Sequence, residues 1–245
     1  MPTLKNVVAV DWLAGKDKIF FFFKDSNTYS RFDISEDRVP EGYPALIKHS
    51  NWHNFYLHAQ QLRFGFSTTN FKEEPGAGFD QDVLWLFHHD SSSAQPMVCK
   101  YNQDTDKVIR TYPLNVSPWY NLAPYFDRIV AGAWWPSNSN FSRFRFLMND
   151  GNSLFLNFDQ GVYPTFNKQP PKVTVEPITN ITWPGLEPYK NRIITAAKRD
   201  RTFDDNYLYI FLTENKYIAY NMGQNKVEYG PHSVDDLTWP GLLRD

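Results

Sequence analysis

The chain has 245 residues, a formal net charge of −2 and 17% aromatic residues. Its basic residues are scattered rather than gathered into a stripe, which argues against nucleic-acid binding, and its single cysteine, Cys99, excludes an intrachain disulfide. The apolar run at 19–23 is too short to span a bilayer, and the opening residues lack a signal-peptide pattern, so a cytoplasmic or intracellular storage protein is expected, with a mature secreted form equally compatible.

Taken in chain order, the predicted elements recur. Residues 7–10 read as a short strand of small apolar residues, 19–23 as an aromatic strand, and a returning strand ends at Phe32 and Asp33. Arg38 and Val39 follow, and the unit closes on Trp52, His53, Asn54 and Phe55. The second unit offers 56–59 as the small strand, 84–87 as the aromatic strand, Tyr101 with Asn102, Lys107 with Val108, and a close at Trp119 to Leu122. The third runs from 129–133 through 144–147, a turn at Asn149 to Asn152, and Phe158 with Asp159 to Trp183. The fourth runs from 193–197 through 207–211, Tyr220 with Asn221 and Lys226 with Val227 to Trp239.

The closing tryptophans are spaced by 67, 64 and 56 residues, which means one supersecondary unit built four times. Each unit reads as about three strands and a closing segment. Such a sheet buries both faces only when its neighbours cover them, so the expected fold is all-β, a single four-bladed β-propeller over residues 1–245. The blades are expected at 1–55, 56–122, 123–186 and 187–245, with the small-residue strands innermost.

These landmarks, and above all the Trp-Pro-Gly-Leu phrases at Trp183 to Leu186 and Trp239 to Leu242, resemble the hemopexin repeat. The likeness runs over essentially the whole chain. It is nearest to the stand-alone members without a blade-stapling disulfide, such as plant seed albumins and microbial single-propeller proteins. The resemblance implies a binding protein rather than an enzyme. Its ligand would be a haem, a polyamine or a divalent cation at the axial channel, or a protein partner on the propeller face. A homodimer is compatible with this. Calcium, sodium or another ion is the implied occupant of the channel, held by backbone carbonyls at the matching positions Ala9, His58, Ala131 and Thr195. Haem has no ligand motif to support it.

No nucleophile elbow or triad spacing is present, and the carboxylate pairs Glu73/Glu74, Asp80/Asp82, Asp204/Asp205 and Asp235/Asp236 fall in polar, turn-like segments. His49, His53 and His58 bracket the first blade junction, and His88 and His89 read as a hairpin turn. The competing class is a carbohydrate-binding lectin, defensive in role. In it Trp135 would offer an apolar platform to a sugar ring while Asn138 and Asn140 reach its hydroxyls.

Overall fold

The computed structural model describes residues 4–14, 17–69, 71, 82–135, 142–158, 171–199 and 206–244. They form four antiparallel four-stranded sheets, each a simple meander. The first comprises β1 (Val7–Trp12), β2 (Lys18–Phe23), β3 (Thr28–Asp33) and β4 (Ala45–Leu46). The second comprises β5 (Leu62–Thr69), β6 (Asp82–His89), β7 (Pro96–Asn102) and β8 (Lys107–Pro113). The third comprises β9 (Ile129–Trp135), β10 (Ser142–Met148), β11 (Asn152–Phe158) and β12 (Lys172–Pro177). The fourth comprises β13 (Ile193–Arg199), β14 (Tyr207–Leu212), β15 (Lys216–Asn221) and β16 (Lys226–Ser233). Each of β1, β5, β9 and β13 touches the next in turn, and β13 returns to β1. The chain is a four-bladed β-propeller.

Strand periodicity explains why the second strand of the first, second and fourth blades is largely an apolar run, which Arg143 and Arg145 interrupt in the third. Phe20 and Phe22 project into the seam with the second blade, whereas Ile19 and Phe21 project into the seam with the fourth. A strand buried on both faces gains nothing from polar alternation. The outer strands β8, β12 and β16 are largely exposed, and lacking an apolar run they escape the sequence pattern, which is why each blade reads as three strands. The second blade holds a further correction. Residues 56–59, expected as its inner strand, belong to 3-10 turns of the preceding closing segment, and the inner strand is β5.

The repeated landmarks are the parts that join one blade to the next. Each closing tryptophan fills the seam ahead of it and meets the aromatic residue ending the third strand of the following blade. The pairs are Trp52 with Tyr101 at 5.6 Å, Trp119 with Phe158 at 5.7 Å, Trp183 with Tyr220 at 5.0 Å and Trp239 with Phe32 at 4.5 Å. That last contact closes the ring. Asp33, Asn102 and Asn221 accept backbone N–H groups in the turns that follow them, which accounts for the Asp or Asn after the aromatic. Val39 and Val227 donate their N–H groups to the carbonyls of Pro240 and Pro184 at 2.8 and 3.0 Å, so the proline of one closing phrase is tied to the next blade. Gly185 beside it stands at φ +85°, and a Cβ there would lie 2.9 Å from Cβ of Val227. An aliphatic residue five positions before each tryptophan is buried in all four units: Ile47, Leu114, Ile178 and Val234.

Candidate functional site

The inner strands define the hub. Lys24, Asn149 and Thr213 donate their N–H groups to the carbonyls of Asn6, Arg128 and Arg192, which aligns the blades at the face where the inner strands begin. From there β5, β9 and β13 each carry one bulge and β1 carries none. Counting through the bulges, one level of the hub is occupied by Ala9, Gly65, Gly132 and Ala196, which pair with Phe21, Leu86, Phe146 and Ile210. Space demands such small residues. A Cβ on Gly65 would come within 2.8 Å of Cγ1 of Val10, and one on Gly132 within 2.7 Å of the Phe146 ring.

Backbone direction at this level follows from hydrogen bonds. The Ala9 N–H donates to Oγ1 of Thr195 on β13 at 2.9 Å, away from β2, so the Ala9 carbonyl faces the hub as well. Ser67, two residues beyond Gly65, donates its N–H to the Asp11 carboxylate at 3.2 and 3.3 Å, which sets the same orientation on β5. Asp11 is a buried acid, two residues from Ala9 on β1. Gln103 completes the cluster by donating to Oγ of Ser67 at 2.6 Å and accepting from the Leu13 N–H at 2.8 Å.

Of the four positions expected at the axis, only Ala9 lies on this level. Ala131 and Thr195 stand one residue earlier on their strands, and Thr195 spends its side chain on Ala9. His58 is not on an inner strand at all. Its ring stacks on His88 at 4.5 Å and 22°. His88 is fully buried on β6 rather than in a hairpin turn, and desolvation pushes its imidazole down to about 4. Two rings face to face at this distance leave no room for a haem between them. Among the described residues no group of three or more His, Cys, Asp or Glu side chains is placed to hold a metal.

At the start face each blade presents one basic side chain beside the hub. Arg128 pairs with Asp150 at 2.9 Å, Arg192 pairs with Glu214 at 3.0 Å, and Arg63 donates to the Asp127 carbonyl at 2.6 Å. Lys24 is half-buried, and burial followed by repulsion from Arg63 lowers its pKa. Two of these four cations are thus neutralised by carboxylates, while Asp11 lies towards the other end of the inner strands.

The lectin platform is not available as expected. Trp135 is buried in the seam of the third and fourth blades, edge-on to Trp183 at 5.4 Å, because its position on β9 points into that seam. Asn138 and Asn140 lie outside the described residues. Of the carboxylate pairs, Asp82 accepts from Thr69, Asp235 from Leu237 and Thr238, and Asp236 from Gly241, all within turns or strand ends. Glu73, Glu74, Asp80, Asp204 and Asp205 lie outside the described residues. Cys99 is buried, and desolvation pushes its thiol up to about 12.

A cavity of about 430 Å³ opens at the seam of the first and second blades, lined by Trp12, Lys18, Phe20, Arg31, Trp52 and Asp106 among others. Sequence reasoning missed it, although the correspondence of Trp12 with Trp135 was there to be found once the repeats were aligned.

No family model matches the chain, and no curated protein matches it. Among solved structures, it is similar to BBS1N, crystallised in complex with ARL6DN, at 8% identity over 91% of this chain, with a TM-score of 0.33. The chain spans 66% of the length of BBS1N. It is also similar to a luciferin-regenerating enzyme at 7% identity, covering 91% of this chain and 75% of that one, with a TM-score of 0.33. Likenesses this distant carry no functional argument, and the four-bladed architecture rests on the sheet topology. No helix among the described residues is long and apolar enough to cross a membrane.

Proposed function

We propose that this chain is a non-catalytic binding protein of the hemopexin-like type, with a hard cation such as calcium held at the hub. The observation that carries this reading is the level formed by Ala9, Gly65, Gly132 and Ala196, where the Ala9 and Gly65 carbonyls face the axis beside the buried carboxylate of Asp11. Hard cations take oxygen ligands, carbonyls included, so no acidic motif is required. Some Cα atoms of the opposed strands β5 and β13 lie within 8 Å of each other, a spacing suited to an ion and not to a haem. A binding role rather than catalysis is supported by Asp82, Asp235 and Asp236 being spent on local hydrogen bonds and by the inert environment of Cys99.

Calorimetric titration with Ca²⁺ tests the proposal. The wild-type chain is expected to bind one equivalent and to gain thermal stability with ligand concentration, as any ligand of the folded state requires. Asp11→Asn should weaken that binding by tenfold or more, on the order of one charge-assisted interaction. Absence of heat and of any thermal shift with Ca²⁺ or Na⁺ would remove the hub from consideration.

A further inference from the structure

The first-to-second and third-to-fourth seams are built from the same positions. Alignment of the inner strands puts Trp12 opposite Trp135, and the cross-strand pairs Phe20↔Arg31 and Arg145↔Phe155 then occupy matching sites. Trp52 matches Trp183, Tyr101 matches Tyr220, and Asp106 matches Asn225, both of the latter preceding a lysine that pairs with the strand-ending Asn. Asp106 and Asn225 even share a left-handed backbone, at φ 53° and 52°.

In the third-to-fourth seam, these groups make a seat for a guanidinium. Arg145 lies 4.0 Å from the Trp135 ring, 4.9 Å from Phe155 and 5.6 Å from Trp183, and it donates to Oδ1 of Asn225 at 2.6 Å. Aromatic faces and one oxygen acceptor hold the cation away from water. In the first-to-second seam, the arginine and the phenylalanine have exchanged strands. Phe20 takes the site of Arg145, and Arg31 sits further out, over Tyr43 at 5.6 Å. The Phe20 ring packs on both tryptophans of this seam, 4.8 Å from Trp12 and 5.4 Å from Trp52, and the tryptophan pair keeps its geometry. Trp12 meets Trp52 at 6.0 Å and 89°, against 5.4 Å and 82° for Trp135 with Trp183. The Tyr101 hydroxyl, whose counterpart on Tyr220 donates to Asn225, is buried without a partner among the described residues. Beyond the Phe20 ring, on the side that the longer Arg145 chain reaches in the other seam, lies the 430 Å³ cavity, lined by Trp12, Phe20, Trp52 and Asp106 among others.

We propose that this cavity receives a guanidinium group from outside the chain, packed against the rings of Trp12 and Phe20 and hydrogen-bonded to the carboxylate of Asp106, as Arg145 is held internally by rings and Asn225. Asp106 replaces the amide of Asn225 by a charge, which the internal arginine does not have. Asp106 is exposed at the mouth of the cavity, where partial desolvation raises its pKa and Lys18 nearby lowers it, so an incoming cation would stabilise its charged form. Lys18 and Arg31 at the rim weaken binding of any cation, which fixes the sign of one test.

Quenching of tryptophan fluorescence and calorimetry, with L-arginine, agmatine and the capped tripeptide acetyl-Gly-Arg-Gly-amide as probes, decide the matter. Guanidinium probes should bind, and citrulline, which has the same shape without the charge, should bind at least tenfold more weakly. Asp106→Asn should weaken arginine on the order of tenfold, and asparagine suits the left-handed backbone there, so the fold is kept. Arg31→Ala should leave binding equal or tighter. The exchange Phe20→Arg with Arg31→Phe should rebuild the plugged seam and abolish binding while the circular dichroism is unchanged. Tighter binding of the tripeptide than of agmatine points to an arginine side chain of a protein; the reverse points to a free metabolite, and both support the seat. Citrulline binding as well as arginine, loss of binding in Arg31→Ala, or no binding by any probe at millimolar concentration would overturn it.

Discussion

His88 shows how a single side chain ties pH to stability. It is fully buried, its Nδ1 lies 3.0 Å from the His89 carbonyl, and burial holds its pKa at about 4 against an ordinary 6.5. The unfolded chain therefore takes up the proton first, and folding stability falls as pH drops from about 7 towards 4, levelling below that. The full shift corresponds to roughly 3 kcal/mol. Urea unfolding at pH 7 and pH 4.5 should show a larger loss for the wild type than for His88→Gln; equal losses would clear His88 of the effect. His88 was illegible in the sequence because two adjacent histidines at the end of an apolar run look like a turn. Only the packing of Phe55 and His58 over the strand end reveals a core residue. Trp135 was misjudged for the opposite reason: both faces of this strand are seams, so Trp134 packs on the side of the second blade and Trp135 on the side of the fourth.

At the scale of the element, the closing phrase is a joint between blades, and its glycine carries a strict requirement. Gly185→Ala would put a Cβ on a left-handed backbone and against Val227, at an expected cost of about 1–3 kcal/mol. Gly223, where a Cβ would meet only Oδ1 of Asn221 at 3.5 Å, is the control; chemical denaturation should separate the two, and equal midpoints would refute the requirement. The strands that pack on both sides were readable because burial on two faces writes a continuous apolar run. The outer strands were not readable, since β8 and β16 present exposed, charged residues and cohere through backbone pairing. The inner strand of the second blade was displaced by the 3-10 turns before it, whose Tyr56, Leu57, His58 and Ala59 imitate the alternation of a strand. That slip moved one of the four axial positions off the hub, and ignorance of the bulges moved two more by a residue.

Across the whole molecule, the ring is closed between the fourth and first blades by aromatic packing together with a few hydrogen bonds. Trp239 lies 4.5 Å from Phe32 and 5.1 Å from both Tyr209 and Phe211, and Leu4 donates its N–H to Oδ1 of Asn215 in the same seam. Trp239→Ala should cost about 3–5 kcal/mol. Hydrogen exchange should then report lost protection in β1 and β13 before β5 and β9; uniform loss would mean that the ring does not open at this seam. The fourfold plan was legible because the joints repeat in sequence, whereas the cavity was hidden because it depends on an arginine and a phenylalanine trading strands between two blades. Quadruplication also bears on stoichiometry. The position of Trp12 is held by Thr68, Trp135 and Arg199 in the other blades; Thr68 accepts from the Trp85 indole, Trp135 is covered by Arg145, and Arg199 donates to the Tyr209 hydroxyl. Among the described residues, divergence at one repeated site has thus opened a cavity at one of four equivalent corners, so the proposed guanidinium site would saturate at one molecule per chain and without the cooperativity that four identical corners would allow.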